Sequence, residues 1–219
     1  DIAKDGEKSW IAVVHADGNN LGQKIISMVQ SSGQEKSFRL MKNFSETLGE
    51  ITETAARNAF EKVIPTKVKD DTKDEFKIPF RPVVLGGDDL TAIMRADLAL
   101  DFTDCFLTEF EKLSRERFQE FGVKNQLNEN PFQNGLTACS GIAFIKANYP
   151  FHYGVTLAES LCTEAKKTSK SINKEHSPSS IMFHKVHASF VEQYEDIIDA
   201  ELKAKDNIRF NFGPYFINS

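Results

Sequence analysis

Arg81-Pro82-Val83-Val84-Leu85, Gly86-Gly87-Asp88-Asp89 and Leu90-Thr91-Ala92-Ile93-Met94 follow one another without a break. Two apolar runs rich in β-formers around a Gly-Gly-Asp-Asp tetrad predict a β-hairpin, because glycine adopts the positive φ values that tight hairpin turns require. Upstream, Trp10-Ile11-Ala12-Val13-Val14-His15-Ala16 stops at Asp17-Gly18-Asn19-Asn20 and reads as a buried strand ending in a turn. Leu21, Ile25, Met28 and Val29 then recur at helical spacing, with a break expected at Ser31-Ser32-Gly33. A longer helix follows, striped by Phe44, Leu48, Ile51, Ala55 and Ala59. Residues 65–79 carry charges of both signs without periodicity and read as a solvated loop inside the domain.

Beyond the hairpin, Asp97 is expected to cap a helix whose apolar stripe is Leu98, Phe102, Phe106, Phe110 and Leu113. Residues 128–135 form a turn-rich loop, and 136–147 a long strand in which Gly141 marks a bulge or a close backbone approach. Pro150 precedes a helix with Val155, Ala158, Leu161, Cys162, Ala165 and Ser169 on one face and Lys166, Lys167 and Lys170 beside it. A short strand over 180–183, a helix over roughly 188–203 and a strand over 208–212 close the chain, and no internal repeat is present. The order β-α-β-β-α-β predicts an α+β, ferredoxin-like sheet with a long first helical region and C-terminal helix and strand additions. We read residues 1–219 as one domain with a core at about 10–185 and an extension over 186–219. In this arrangement the two inner strands are neighbours, so the hairpin turn falls beside the end of the first strand. Asp17 and the pair Asp88/Asp89 thereby meet at one sheet edge.

Composition sets the outer bounds. The 219 residues are 40% hydrophobic and 27% charged, with 12 Gly and 7 Pro, which excludes collagen-like, low-complexity and wholly disordered classes. Twenty-seven basic against 32 acidic residues leave a net charge of −5, so a nucleic acid would need a local basic patch or a metal-neutralised site. No apolar run approaches the roughly 20 residues of a membrane span, and no membrane partner is expected. Cys105, Cys139 and Cys162 are odd in number and widely spaced, which suggests buried thiols and a cytoplasmic location. His184-x-x-His187 lacks further ligands at zinc spacing. Asp1 in place of Met leads us to expect a processed chain or part of a longer protein.

Three crowded carboxylates repel one another unless a cation or proton neutralises them. Hard oxygen ligands without Cys or His select Mg²⁺ or Mn²⁺. Two such ions about 3.5–4 Å apart activate a hydroxyl and stabilise a leaving oxygen in nucleotidyl transfer. Gly18 and Gly22, flanking a strand-to-helix turn, let a triphosphate approach backbone N–H groups at a helix N-terminus. Lys166 and Lys170, one helical turn apart, can meet the β and γ phosphates from the other side. Each feature alone has an ordinary reading: a turn, a hairpin with solvated acids, a wet helix face. Together, in this order and at one sheet edge, they suit a nucleoside triphosphate.

Val14-His15-Ala16-Asp17-Gly18-Asn19-Asn20-Leu21-Gly22, Leu85-Gly86-Gly87-Asp88-Asp89-Leu90 and Ser140-Gly141-Ile142-Ala143 resemble the polymerase/cyclase palm of the large subunit of type III CRISPR effector complexes. Phe151 and the helix over 158–167 extend the resemblance, which covers about residues 10–185 and is shared more distantly by GGDEF diguanylate cyclases. The family implies an ATP-using nucleotidyltransferase that makes oligoadenylate second messengers, often cyclic, in antiviral defence. The 3′-hydroxyl of one ATP attacks the α-phosphate of another and releases pyrophosphate. By resemblance, Asp17 and Asp88 are metal ligands, with Ala16 in the same set. Asp89 is a ligand or helps activate the hydroxyl. By the same resemblance Gly86, Gly87, Lys166 and Lys170 face the nucleotide, and Asn20 reaches the ribose or base. Guide or target RNA, other effector subunits and a second palm are the implied partners.

The chain departs from the pattern in lacking the nuclease His-Asp dyad, a cysteine-rich zinc insertion and a second palm. Its tetrad is not Gly-Gly-Asp/Glu-Glu-Phe, and Arg81 stands near the place of the diguanylate cyclases' inhibitory Arg-x-x-Asp without the Asp. These points favour the CRISPR-type palm over a diguanylate cyclase and leave room for a stand-alone or differently fused relative. A non-catalytic nucleotide- or RNA-binding scaffold competes with the enzyme reading, as does, more remotely, a template-copying polymerase.

Overall fold

A computed structural model of the chain describes residues 9–30, 34–68, 78–187, 194–203 and 212–217. The elements in order are β1 (Trp10–Gly18), α1 (Leu21–Gln30), α2 (Gln34–Val68), β2 (Phe80–Gly86), β3 (Asp89–Arg95), α3 (Ala99–Lys124), β4 (Ala138–Lys146), α4 (Phe151–Ile172), β5 (Ser180–Lys185), α5 (Tyr194–Glu201) and β6 (Tyr215–Phe216). They build one six-stranded sheet in the order β2-β3-β1-β4-β5-β6. β1 is antiparallel to both β3 and β4, while β4 and β5 are parallel, joined by the α4 crossover. The first four strands are the predicted ferredoxin-like sheet, and α4, β5, α5 and β6 are additions to it.

β1 is buried on both faces, which explains its nearly unbroken apolar run. Ala12, Val14 and Ala16 face a core shared with α2 and α3, whereas Val13 faces a second core built with α4. The alternation of side chains along the strand therefore turns His15 and Asp17 toward α4. The first core holds a cluster of Phe44, Phe118 and Phe132, whose ring centroids lie 4.7–5.4 Å apart. The helical stripes read from the sequence are buried: Phe44, Leu48, Ile51, Ala55 and Ala59 on α2, Phe102, Phe106 and Phe110 on α3.

α4 lies against β4 because Gly141 has no side chain. A Cβ there would stand 2.0 Å from the Ala158 carbonyl oxygen and 2.5 Å from the Cys162 nitrogen. The expected close approach is thus real, and it brings α4 near β1. Cys139 and Cys162 are buried and Cys105 is half-buried, all three as thiols. No helix among the described residues is long and apolar enough to cross a membrane.

Several boundaries differ from the sequence reading. α2 continues through Pro65 to Val68, further than the sequence pattern suggests. Asp97 is not a cap. Arg95 donates to both of its carboxylate oxygens, at 2.7 and 3.1 Å, and a short 3₁₀ turn over Ala96–Leu98 leads into α3 instead. β4 begins at Ala138, because Leu136 and Thr137 hydrogen-bond to loop and helix groups rather than to a strand. The helix expected over 188–203 is described only as Tyr194–Glu201, and the described residues add a two-residue strand, Tyr215–Phe216, beyond the one expected. The break at 31–33, most of the charged loop at 65–79 and nearly all of the strand expected over 208–212 fall outside the described residues.

Candidate metal and nucleotide site

The antiparallel register of β1 and β3 pairs Ala16 with Leu90, and one further step sets Asp17 opposite Asp89. Leu90, Ala92 and Met94 face the first core, so Asp89 and Thr91 point to the same side of the sheet as His15 and Asp17. A 3.0 Å hydrogen bond between His15 Nδ1 and Thr91 Oγ1 marks that shared face. Gly87, at φ +61°, occupies the first position of the two-residue turn, as a type II′ hairpin requires, and Asp88 occupies the second. Thr52 of α2 donates a 2.6 Å hydrogen bond to the Gly87 carbonyl and pins the tip. Carboxylate oxygens of Asp17, Asp88 and Asp89 consequently lie within 4.8 Å of one another.

Gly18 makes room for this convergence. A Cβ on it would stand 2.8 Å from Asp88 Oδ2 and 3.0 Å from Asp88 Cβ. Burial, and then the neighbouring Asp17 charge, raise the Asp88 carboxyl above its ordinary value of 3.8, and the same two causes in the same order raise Asp89. The cluster resists full ionisation by itself. Half-buried hard oxygens crowded to this degree fit a divalent cation such as Mg²⁺ or Mn²⁺.

Beside the carboxylates opens a cleft of about 660 Å³, lined among others by Asp17, Gly18, Gly22, Asp88, Lys170 and Lys174. The N-terminus of α1 faces it. A Cβ at Gly22 would meet no protein atom within 4 Å, so the glycine leaves that helix end bare. Backbone N–H groups and the helix dipole there favour an anion, and Lys170 and Lys174, also on the cleft, add positive charge.

The structure brings most of the predicted residues together, with different local duties for some. Lys166 does not line the cleft wall. Its ammonium pairs with Asp17 and donates to the Gly18 carbonyl oxygen at 2.8 Å. Asn20 does line the cleft, at φ +58°, yet its amide nitrogen donates to the Lys174 carbonyl and to Ser177 Oγ, both at 3.0 Å. Only its Oδ1 is left to meet a ligand. Ala16 is fully buried inside β1, and Gly86 closes the hairpin opposite Asp89.

Sequence reasoning missed Lys174, Gln23 and Ile25 on the cleft and the buried Asn19 between its lining residues Gly18 and Asn20. Lys174 continues the four-residue spacing of Lys166 and Lys170, a signal that was available. Asn19 is buried, donating to Thr137 Oγ1 at 3.0 Å, and its backbone N–H donates to the Thr137 carbonyl at 2.8 Å. Thr137 in turn donates to the Ser177 carbonyl at 2.6 Å. The Asp17–Leu21 turn is therefore tied to Thr137, just before β4, and to the loop that carries Lys174. Nothing local in the sequence announces that tie.

A ferredoxin-like sheet with converging carboxylates at the end of its first strand and on the hairpin turn defines a palm domain. Residues 10–175 match the family described as Cas10/Cmr2, second palm domain, and the chain belongs to it. No match was found among curated proteins. Solved structures with a similar fold include the Csm1–Csm4 cassette in complex with cA4, at 14% identity and a TM-score of 0.46 over 78% of this chain and 20% of that one. The same cassette with AMPPNP gives 16% identity and a TM-score of 0.40, and Csm1 of T. onnurineus 14% and 0.44, with the same coverage. This chain spans about a fifth of the length of the structures it matches, 20% in each case.

Proposed function

We propose that this palm is a Mg²⁺- or Mn²⁺-dependent nucleotidyltransferase that uses ATP to build oligoadenylates, linear or cyclic, as second messengers in CRISPR-type antiviral defence. The observation that carries the reading is the convergence of Asp17, Asp88 and Asp89 beside a cleft with a bare helix N-terminus and two lysines. Adenine as the base is what family membership implies.

Asp17, Asp88 and Asp89 would hold the metal. The Ala16 carbonyl, one residue before Asp17, belongs to the same proposal. The bound metal would supply Lewis-acid activation of the attacking 3′-hydroxyl and neutralise charge on the departing pyrophosphate. The protein's own part is to position and neutralise. The α1 N-terminus at Gly22 receives phosphate oxygens, with Gly86 and Gly87 keeping the tip slender enough for nucleotide to pass. Lys170 and Lys174 offset the triphosphate charge. Asp89 would either ligate the metal or accept the proton of the 3′-hydroxyl, since it stands on the same face as Asp17 beside the hairpin turn.

Building an oligomer needs two nucleotides face to face, so a second palm, in another copy or elsewhere in a longer parent protein, completes the reaction centre. Residues 1–219 would act within that assembly as one palm with its core at about 10–185. Guide or target RNA and other effector subunits would control it in the cytoplasm.

Labelled ATP or GTP incubated with Mg²⁺ or Mn²⁺, with products resolved by chromatography, tests the reading. Oligoadenylate from wild type and at least a hundredfold less from Asp88→Asn is the expected result. Cyclic di-GMP would establish a diguanylate cyclase instead. Nucleotide binding without any product, in the presence of the parent complex, would favour a scaffold.

A further inference from the structure

Lys166 sits where a cation of another kind is wanted. Its ammonium contacts Asp17 Oδ2, one of the three carboxylates that converge at the candidate metal site, and the neighbouring Gly18 carbonyl. The lysine side chain is 20% exposed and Asp17 35%, so the pair is only partly screened by solvent. α4 is held firmly enough to aim it there, because Ala158 and Cys162 rest directly on Gly141. Lys170 and Lys174, farther along the same helix and past its end, stand on the cleft instead. The row of lysines is thereby divided between the metal site and the cleft.

Resting on the function proposed above, we propose that Lys166 is a tethered counter-ion that competes with the divalent cation for Asp17, and that triphosphate binding relieves the competition. An ammonium on a four-carbon stem is a mobile point charge, able to swing from a carboxylate to a phosphate without moving the helix. In contact with Asp17 it lowers the negative charge available to a metal. Drawn toward phosphate, it restores that charge. Nucleotide and metal then assist each other's binding by the same factor, as linkage demands. The consequence is a site that binds metal poorly until nucleotide arrives.

Mn²⁺ titration of the nucleotide-free protein, read by the loss of the free-ion paramagnetic resonance signal, tests this without any need for activity. Lys166→Met and Lys166→Gln should bind Mn²⁺ about tenfold more tightly than wild type. Lys170→Met, which removes an equal charge from the cleft wall, should gain clearly less. Equal or weaker binding in the Lys166 variants, or an equal gain in Lys170→Met, overturns the competition. Failure of wild type and all variants to bind Mn²⁺ overturns the metal site itself, so the two failures are distinguishable. A second measurement uses wild type alone. Saturating Mg²⁺ should raise acetylation of Lys166 by acetic anhydride several-fold, with the exposed Lys167 unchanged, and an unaltered Lys166 yield contradicts the proposal.

Discussion

Asp88 holds the most consequential position at the residue scale. It stands on the hairpin turn, against the bare Cα of Gly18 and facing Asp17. Its carboxyl, raised by burial and then by the Asp17 charge, binds a proton in the folded protein at pH values where the unfolded chain, with a value near 3.8, has released it. In that window the folded state holds more protons, so stability falls as pH rises from 3.8 through the folded value. Asp88→Asn in EDTA should therefore raise Tm by a few degrees at pH 7 and flatten the decline, as calorimetry across roughly pH 4–8 would show. The same variant should lose the stabilisation that Mn²⁺ gives wild type. Gly18→Ala should act the other way, displacing Asp88 and lowering stability by about 1–3 kcal/mol in urea unfolding. Neither effect follows from the tetrad alone. The sequence shows that Asp17 and Asp88 are acidic, but only the structure shows that burial and the approach of Asp17 raise the Asp88 carboxyl.

At the scale of elements, the site depends on two supports that act from opposite faces of the sheet. From the α2 side, Thr52 clamps the hairpin tip through the Gly87 carbonyl. From the α4 side, Gly141 admits the helix that carries Lys166. Gly141→Ala should push α4 outward, lower stability by about 1–3 kcal/mol and weaken Mn²⁺ and nucleotide binding together, measurable by urea unfolding and titration calorimetry. Thr52→Ala should cost about 1 kcal/mol and weaken metal binding with little effect on the core. The strands, the apolar stripes and the meaning of Gly141 were legible because periodicity and a lone glycine in a strand are local signals. The Thr52 clamp and the Asn19–Thr137–Ser177 chain were not, since hydrogen bonds between residues up to 118 positions apart leave no periodic trace. Asp97 misled for a related reason. A carboxylate before a helix favours capping, but Arg95 two residues earlier makes two charge-assisted bonds with it, which are stronger.

For the whole molecule, the two-faced sheet explains how a chain with a net charge of −5 keeps three acids together. The aromatic core under α2 and α3 fixes β1 and the hairpin from below, and the α4 layer supplies positive charge from above. Phe118→Ala, which opens a cavity in the Phe44–Phe118–Phe132 cluster, should cost about 3–5 kcal/mol in urea unfolding and leave the site's charge pattern untouched. The order of elements was readable from residues 10–185, and so was the meeting of Asp17 with Asp88 and Asp89, because sheet topology converts strand order into neighbourhood. The division of the lysines between metal site and cleft was not readable, since helical spacing gives a face and not the partner that face meets. The central claim is that these three carboxylates hold a metal for nucleotidyl transfer from ATP. Its most direct test is product analysis of labelled ATP with Mn²⁺, in the parent assembly, for wild type and Asp88→Asn. The account predicts oligoadenylate that vanishes in the variant, and undiminished synthesis by Asp88→Asn would contradict it.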